Sequence, residues 1–216
     1  MRGAPSVPAR PAVPEGSYWQ TGGMVDGHEA LDPAAIELAL IRSGADLAPG
    51  LTDAEVDRLR DRFGIEPAPD HRLMLSIALP LGDDGRWPDW RKGDSDDLQK
   101  RVAWPADGIL FDVEHNPFWQ PSWAVRPTEL ADALSVAMKA LSDVPRLAPL
   151  YSHRYVPTQP AVAGNPVLSC YQTDIIYYGK NLLDWFNREF HQSGTWVAPE
   201  PERRLPFWSW FLEDDE

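Results

Sequence analysis

The chain has 216 residues, ten of them Trp and one of them Cys, with 43% hydrophobic residues and a formal net charge of −13. That length can bury one substantial core without disulfide or metal staples, and so many Trp exclude a chain disordered throughout. The negative field disfavours nucleic-acid and anionic-membrane partners and favours basic ones. No apolar run approaches a membrane span, and the lone thiol, Cys170, fits a reducing, cytoplasmic setting.

Residues 1–17 are rich in Pro and Ala and predict a flexible leader. Arg2 and Arg10 precede no apolar stretch, so this leader is a poor signal peptide. Tyr18 to Gly23 predicts a turn or a short first strand. Asp32 caps a predicted helix from Pro33 to about Ser43, with Ile36, Leu40 and Ile41 on one face. Thr52-Asp53-Ala54-Glu55 is a capping box opening a second helix, with Val56, Leu59 and Phe63 as its stripe and Gly64 as its stop. Pro69-Asp70-His71 opens a third, which ends before Pro80. From Gly82 to Asp97 the chain turns polar and carries the aromatic patch Trp87-Pro88-Asp89-Trp90-Arg91. Ser95 caps a short predicted helix over Asp96 to Ala103, and Gly108 to Glu114 predicts a strand. Phe118, Trp119 and Trp123 fall in a Pro-interrupted loop. Thr128 caps the longest predicted helix, to about Ser142, with Leu130, Leu134, Ala137, Met138 and Leu141 at helical spacing.

The last third predicts strands at Leu147 to Tyr151, His153 to Val156, Val167 to Tyr171 and Ile175 to Tyr178. A helix follows from about Lys180, striped by Leu182, Leu183, Phe186 and Phe190. The domain is thus expected over residues 18–190. A tail over 191–216 carries Phe207-Trp208-Ser209-Trp210-Phe211-Leu212 and docks on the body, because such a patch left open would aggregate.

Three stretches carry a family resemblance. They are the capped helix, turn and apolar helix from Thr52 to Leu75; Gly108 to Trp119; and Gly164 to Phe190, a strand pair closed by a helix ending in Asp184-Trp185-Phe186 and Glu189-Phe190. Together they resemble a bacterial member of the SUKH superfamily, which includes fungal cell-wall-synthesis regulators and bacterial immunity proteins against toxins. Where that family has a small Asn-Gly turn, this chain carries the Trp87-Pro88-Asp89-Trp90 insert. The resemblance implies an α+β fold with a twisted, mainly antiparallel sheet flanked by helices. It implies no shared catalytic residues and no cofactor.

Two constellations bear on chemistry. On a strand, Asp112 and Glu114 share one face with His115 at its end, joined by His153, Arg154 and Asp174. A His with two carboxylates can ligate a metal or form an acid–base pair, so Asp112, Glu114, His115 and His153 define an alternative reading as a small metal-dependent hydrolase. The structural reading, a hydrogen-bonded network with Arg154 pairing a carboxylate, is favoured. Ser152 and His153, adjacent on a strand, would face opposite ways and form no catalytic pair. The second constellation is a recognition surface of loop aromatics and carboxylates, with Trp87, Asp89, Trp90, Asp94 and Trp123 as candidate partner-binding residues. The expected function is a non-enzymatic protein-binding domain, in concrete form an immunity protein that occupies a basic toxin domain. A scaffold with no discrete site is a third reading.

Overall fold

The computed structural model describes residues 31–93, 95–191, 197 and 203–212. The leader, the Tyr18–Gly23 segment and Asp94 lie outside the described residues, as do most of 191–202 and the acidic end, 213–216.

Helix α1 (Pro33–Arg42) begins where Asp32 accepts from the Ala34 and Ala35 amides. Ile36 and Leu40 are fully buried, whereas Ile41, expected on the same face, is 60% exposed. Five residues past Ile36, it lies about 140° round the helix. Strand β1 (Asp46–Pro49) then pairs antiparallel with β2 (Ala78–Leu81). Neither strand is legible in the sequence, since Pro49 and Pro80 argue against strands; a two-stranded ribbon tolerates them because each strand keeps one free edge. Between them run α2 (Asp53–Phe63) and α3 (Pro69–Ile77). The capping box forms in full, and Gly64 closes α2 at φ 64°, where a side chain would be strained.

The largest correction concerns α4 (Ser95–His115). The short helix expected over Asp96 to Ala103 and the strand expected over Gly108 to Glu114 are one continuous helix. Its buried face is Leu98, Val102, Pro105, Ile109, Asp112 and Val113, a helical rather than alternating set. Pro105 fails to break it for a specific reason. Its missing N–H leaves the Arg101 carbonyl, four residues back, without the usual donor. The Tyr155 hydroxyl donates to that carbonyl at 2.9 Å. Gly108 lets the helix pass close to a strand turn, since a Cβ there would lie 2.8 Å from the Gln172 Cα. Helix α5 (Leu130–Ser142) starts after Glu129 without a side-chain cap, so Thr128 does not cap it, and α4 is the longer of the two. Leu130 and Met138, expected in its stripe, are exposed, and Ala133, Ala137 and Leu141 face inward.

Strands β3 (Leu147–Tyr151), β4 (Arg154–Pro157), β5 (Val167–Tyr171) and β6 (Asp174–Gly179) form one antiparallel sheet in that order. Helix α6 (Leu182–Phe190) follows, capped by the Asn181 side chain. The sheet buries both faces. Ala148, Leu150, Val156 and Val167 meet Ile36, Leu59, Met74 and Trp185 from α1, α2, α3 and α6. Leu147, Tyr155, Leu168, Cys170, Ile175 and Tyr177 meet Ile109 of α4, Leu141 of α5, and Leu205 and Trp208 near the chain end. The Trp208 indole donates to the Pro145 carbonyl at 2.7 Å, fastening residues 203–212 to the body. The chain is therefore α+β, with antiparallel sheets flanked by helices. No helix of the described residues is long and apolar enough to cross a membrane.

Candidate interaction face

The structure breaks up the cluster that the sequence grouped for chemistry, leaving only Glu114 and His115 of the four candidate ligands as neighbours, at 3.9 Å. Because Gly108 to Glu114 is helical, Asp112 and Glu114 project about 160° apart instead of sharing a face. Asp112 is buried, and its carboxylate accepts from the Thr173 amide at 2.9 Å, the Thr173 hydroxyl at 2.6 Å and the Asn116 side chain at 2.6 Å. Burial pushes its pKa up, but these bonds outweigh burial and hold it below the usual value. Glu114 is exposed; His115 stacks on Phe111 at 4.2 Å, its Nδ1 3.1 Å from the Phe111 carbonyl. Asp174 stands exposed at the start of β6. Among the described residues, no group of three His, Cys, Asp or Glu side chains is arranged to hold a metal.

His153 sits elsewhere, in the turn joining β3 and β4. The expectation that Ser152 and His153 face opposite ways is corrected, because a turn has no alternation. Ser152 has φ 49°, and its hydroxyl lies 3.2 Å from His153 Nδ1. The far ring nitrogen faces the Arg154 guanidinium rather than a carboxylate. Burial, then the Arg154 charge, lower the His153 pKa and outweigh the opposing Glu189 charge, so the neutral imidazole is favoured. Arg154 does pair a carboxylate, Glu189 of α6 at 3.0 Å, and lies 3.7 Å above the Tyr178 ring. Cys170 is fully buried and its thiol pKa is pushed up by burial, which makes it inert.

The loop aromatics are corrected in the same way. Trp87 and Trp90 are 3% and 6% exposed. Trp87 packs against Tyr151, Trp185, Phe186 and Phe190, and Trp90 meets Phe63 edge-on at 6.2 Å. Asp89 accepts from the Arg91 and Lys92 amides and shapes the turn. Arg91 donates to the Pro49 and Gly50 carbonyls and to Glu55, holding the Glu55 pKa down at about 2. The Trp-rich insert is thus a clamp on the core, and it leaves no Trp anchor for a partner. Trp123 is half-buried against Phe118 and Trp119. Asp94 lies outside the described residues.

Two surface features adjoin these residues. One is a cleft of about 410 Å³ lined by Asp46, Asp83, Arg86, Tyr151, Glu189 and Phe190. Its floor loop is unusual, since Gly82, Asp83, Asp84 and Gly85 all have positive φ. Its charges are largely matched from within. Tyr151 donates to Asp83, Arg86 pairs with Asp83 at 3.5 Å, and Arg154 holds Glu189.

The other feature is an aromatic face where α4 crosses the β5–β6 hairpin. Trp104, Phe111 and Tyr171 are 46%, 44% and 57% exposed. Yet they are held in place. The Trp104 indole donates to the Cys170 carbonyl at 3.2 Å, and its ring lies 6.4 Å from Tyr171. Asp112 binds the hairpin turn to the same helix. The sequence placed Phe111 within an expected strand and missed Tyr171 as a surface group. Read as one helix, Trp104, Gly108, Phe111 and His115 fall on a single stripe, and that spacing is the signal that marks them.

No protein-family model, no curated protein and no solved structure matches the chain.

Proposed function

We propose that this chain is a non-enzymatic, SUKH-like protein-binding domain, in concrete form an immunity protein that acts in the cytoplasm by covering a basic toxin domain. The observation that carries the reading is the exposed but immobilised aromatic face of Trp104, Phe111 and Tyr171. Half-exposed Trp and Tyr with fixed orientation lose little entropy on docking and are typical energetic anchors of interfaces. The net charge of −13 supports a basic partner through faster encounter. Against metal-dependent hydrolysis speak the engagement of Asp112 by the hairpin turn and of His153 by Arg154.

The test is co-expression with the product of the adjacent upstream gene, read by capture and by growth rescue. The reading expects a 1:1 complex and rescue. An absence of both, with well-folded protein on the beads, refutes it.

A further inference from the structure

The stripe on α4 can be resolved by angle. At about 100° per residue, Leu98, Val102, Pro105, Ile109, Asp112 and Val113 point into the body. Trp104, Phe111 and His115 lie within about 40° of one another on the border, beside Tyr171. Asp107 and Glu114 lie about 60–80° further out, and Lys100 stands one turn before Trp104. Asp174 is the cross-strand neighbour of Tyr171. An apolar ridge roughly 16 Å long is thereby bordered by carboxylates on its solvent side and at its hairpin end.

We infer that the ridge of Trp104, Phe111, His115 and Tyr171 is the docking surface for a basic amphipathic helix of a partner protein. This deepens the binding-domain reading and rests on it. A helix laid along α4 presents apolar side chains at i, i+3 or i+4, i+7 and i+11, a stripe of about 16 Å that matches the length of the ridge. Lys or Arg flanking that stripe meets Asp107, Glu114 and Asp174. The same carboxylates repel phosphate backbones, anionic lipid and a second copy of this acidic chain, so charge selects the occupant. The ridge is also prepared for it. Trp104 is anchored on Cys170, Phe111 stacks on His115, and the hairpin bearing Tyr171 is locked to α4 by Asp112. The polar cleft beside Tyr151 is a poorer receptor, because its charges already pair among themselves.

The probe is a synthetic helical peptide of Leu and Lys with one apolar face, titrated into the full ¹⁵N-labelled chain. The expected result is saturable shifts at the Trp104 indole and along α4 and β5. Affinity should fall about tenfold or more in W104A, in the F111A variant and in the exposed double variant D107K/E114K. It should also weaken as salt is raised. Shifts centred on the Tyr151 cleft overturn the inference, as do equal affinity in all three variants, equal binding of a Leu/Glu peptide, or no saturable shift up to about 1 mM. A co-expressed partner separates the two proposals. Capture that W104A and F111A leave intact overturns this surface while the binding function stands. Peptide binding at the ridge without any captured partner overturns the function while the surface stands.

Discussion

The sharpest stability prediction concerns Tyr155 and Pro105. Tyr155 is 1% exposed, and its hydroxyl donates to the carbonyl that Pro105 deprives of a helical donor. Tyr155→Phe keeps the packing and removes that donor. A buried carbonyl left unpaired costs about 1–3 kcal/mol, so urea unfolding should show a loss of about 2 kcal/mol. In a chain of this size that lowers the melting temperature by roughly 4–8 °C. Pro105→Ala restores an N–H facing the Arg101 carbonyl, so Tyr155→Phe in that background should cost about 0.5 kcal/mol or less. The double-mutant cycle therefore predicts a coupling of about 1 kcal/mol or more between residues fifty positions apart in the chain. Equal costs of Tyr155→Phe in the two backgrounds would refute the idea that this hydroxyl substitutes for the missing amide. An unchanged stability in the single variant would refute it as well.

Trp87→Ala should cost about 4 kcal/mol, since a nearly buried Trp with several ring partners is lost, whereas Trp104→Ala should stay within about 1 kcal/mol; parallel chemical denaturation compares them. His71 is buried with neither ring nitrogen bonded, and burial lowers its pKa from 6.5 to about 4. The unfolded chain therefore takes up the proton first. The associated stability is present above about pH 6.5 and is lost as the pH falls towards 4, to about 3 kcal/mol. The neighbouring Asp70, whose pKa burial raises, works in the opposite sense and offsets part of this. His71→Leu should flatten the stability profile between pH 6.5 and 4, and an unchanged slope would rule out His71 as its source. Asp112→Ala removes the acceptor of three hydrogen bonds at the hairpin turn. It should cost about 3 kcal/mol and speed hydrogen exchange of the Thr173 amide above that of β4 amides.

What the sequence by itself determined was local. The capping box at Thr52, Pro33 behind Asp32, the run of short strands after Leu147 and the amphipathic close from Leu182 each carry their signal within a few residues, because caps, turns and periodic faces are short-range physics. Tertiary structure decided whatever depends on a distant partner. Pro105 disfavours a helix through residue 105 until Tyr155 arrives from β4, so Gly108 to Glu114 reads as a strand with Asp112 and Glu114 on one face. The ribbon of β1 and β2 exists only because its prolines fall on strands with free edges. Trp87 and Trp90 stand in a polar, Pro-interrupted stretch and look like surface anchors, yet Arg91 reaches back to Pro49, Gly50 and Glu55 and folds them into the core. Trp104, by contrast, reads in the sequence as a residue covering the core. Its exposure follows from the angle at which one unbroken helix crosses a hairpin, a property of packing that no single stretch of residues encodes.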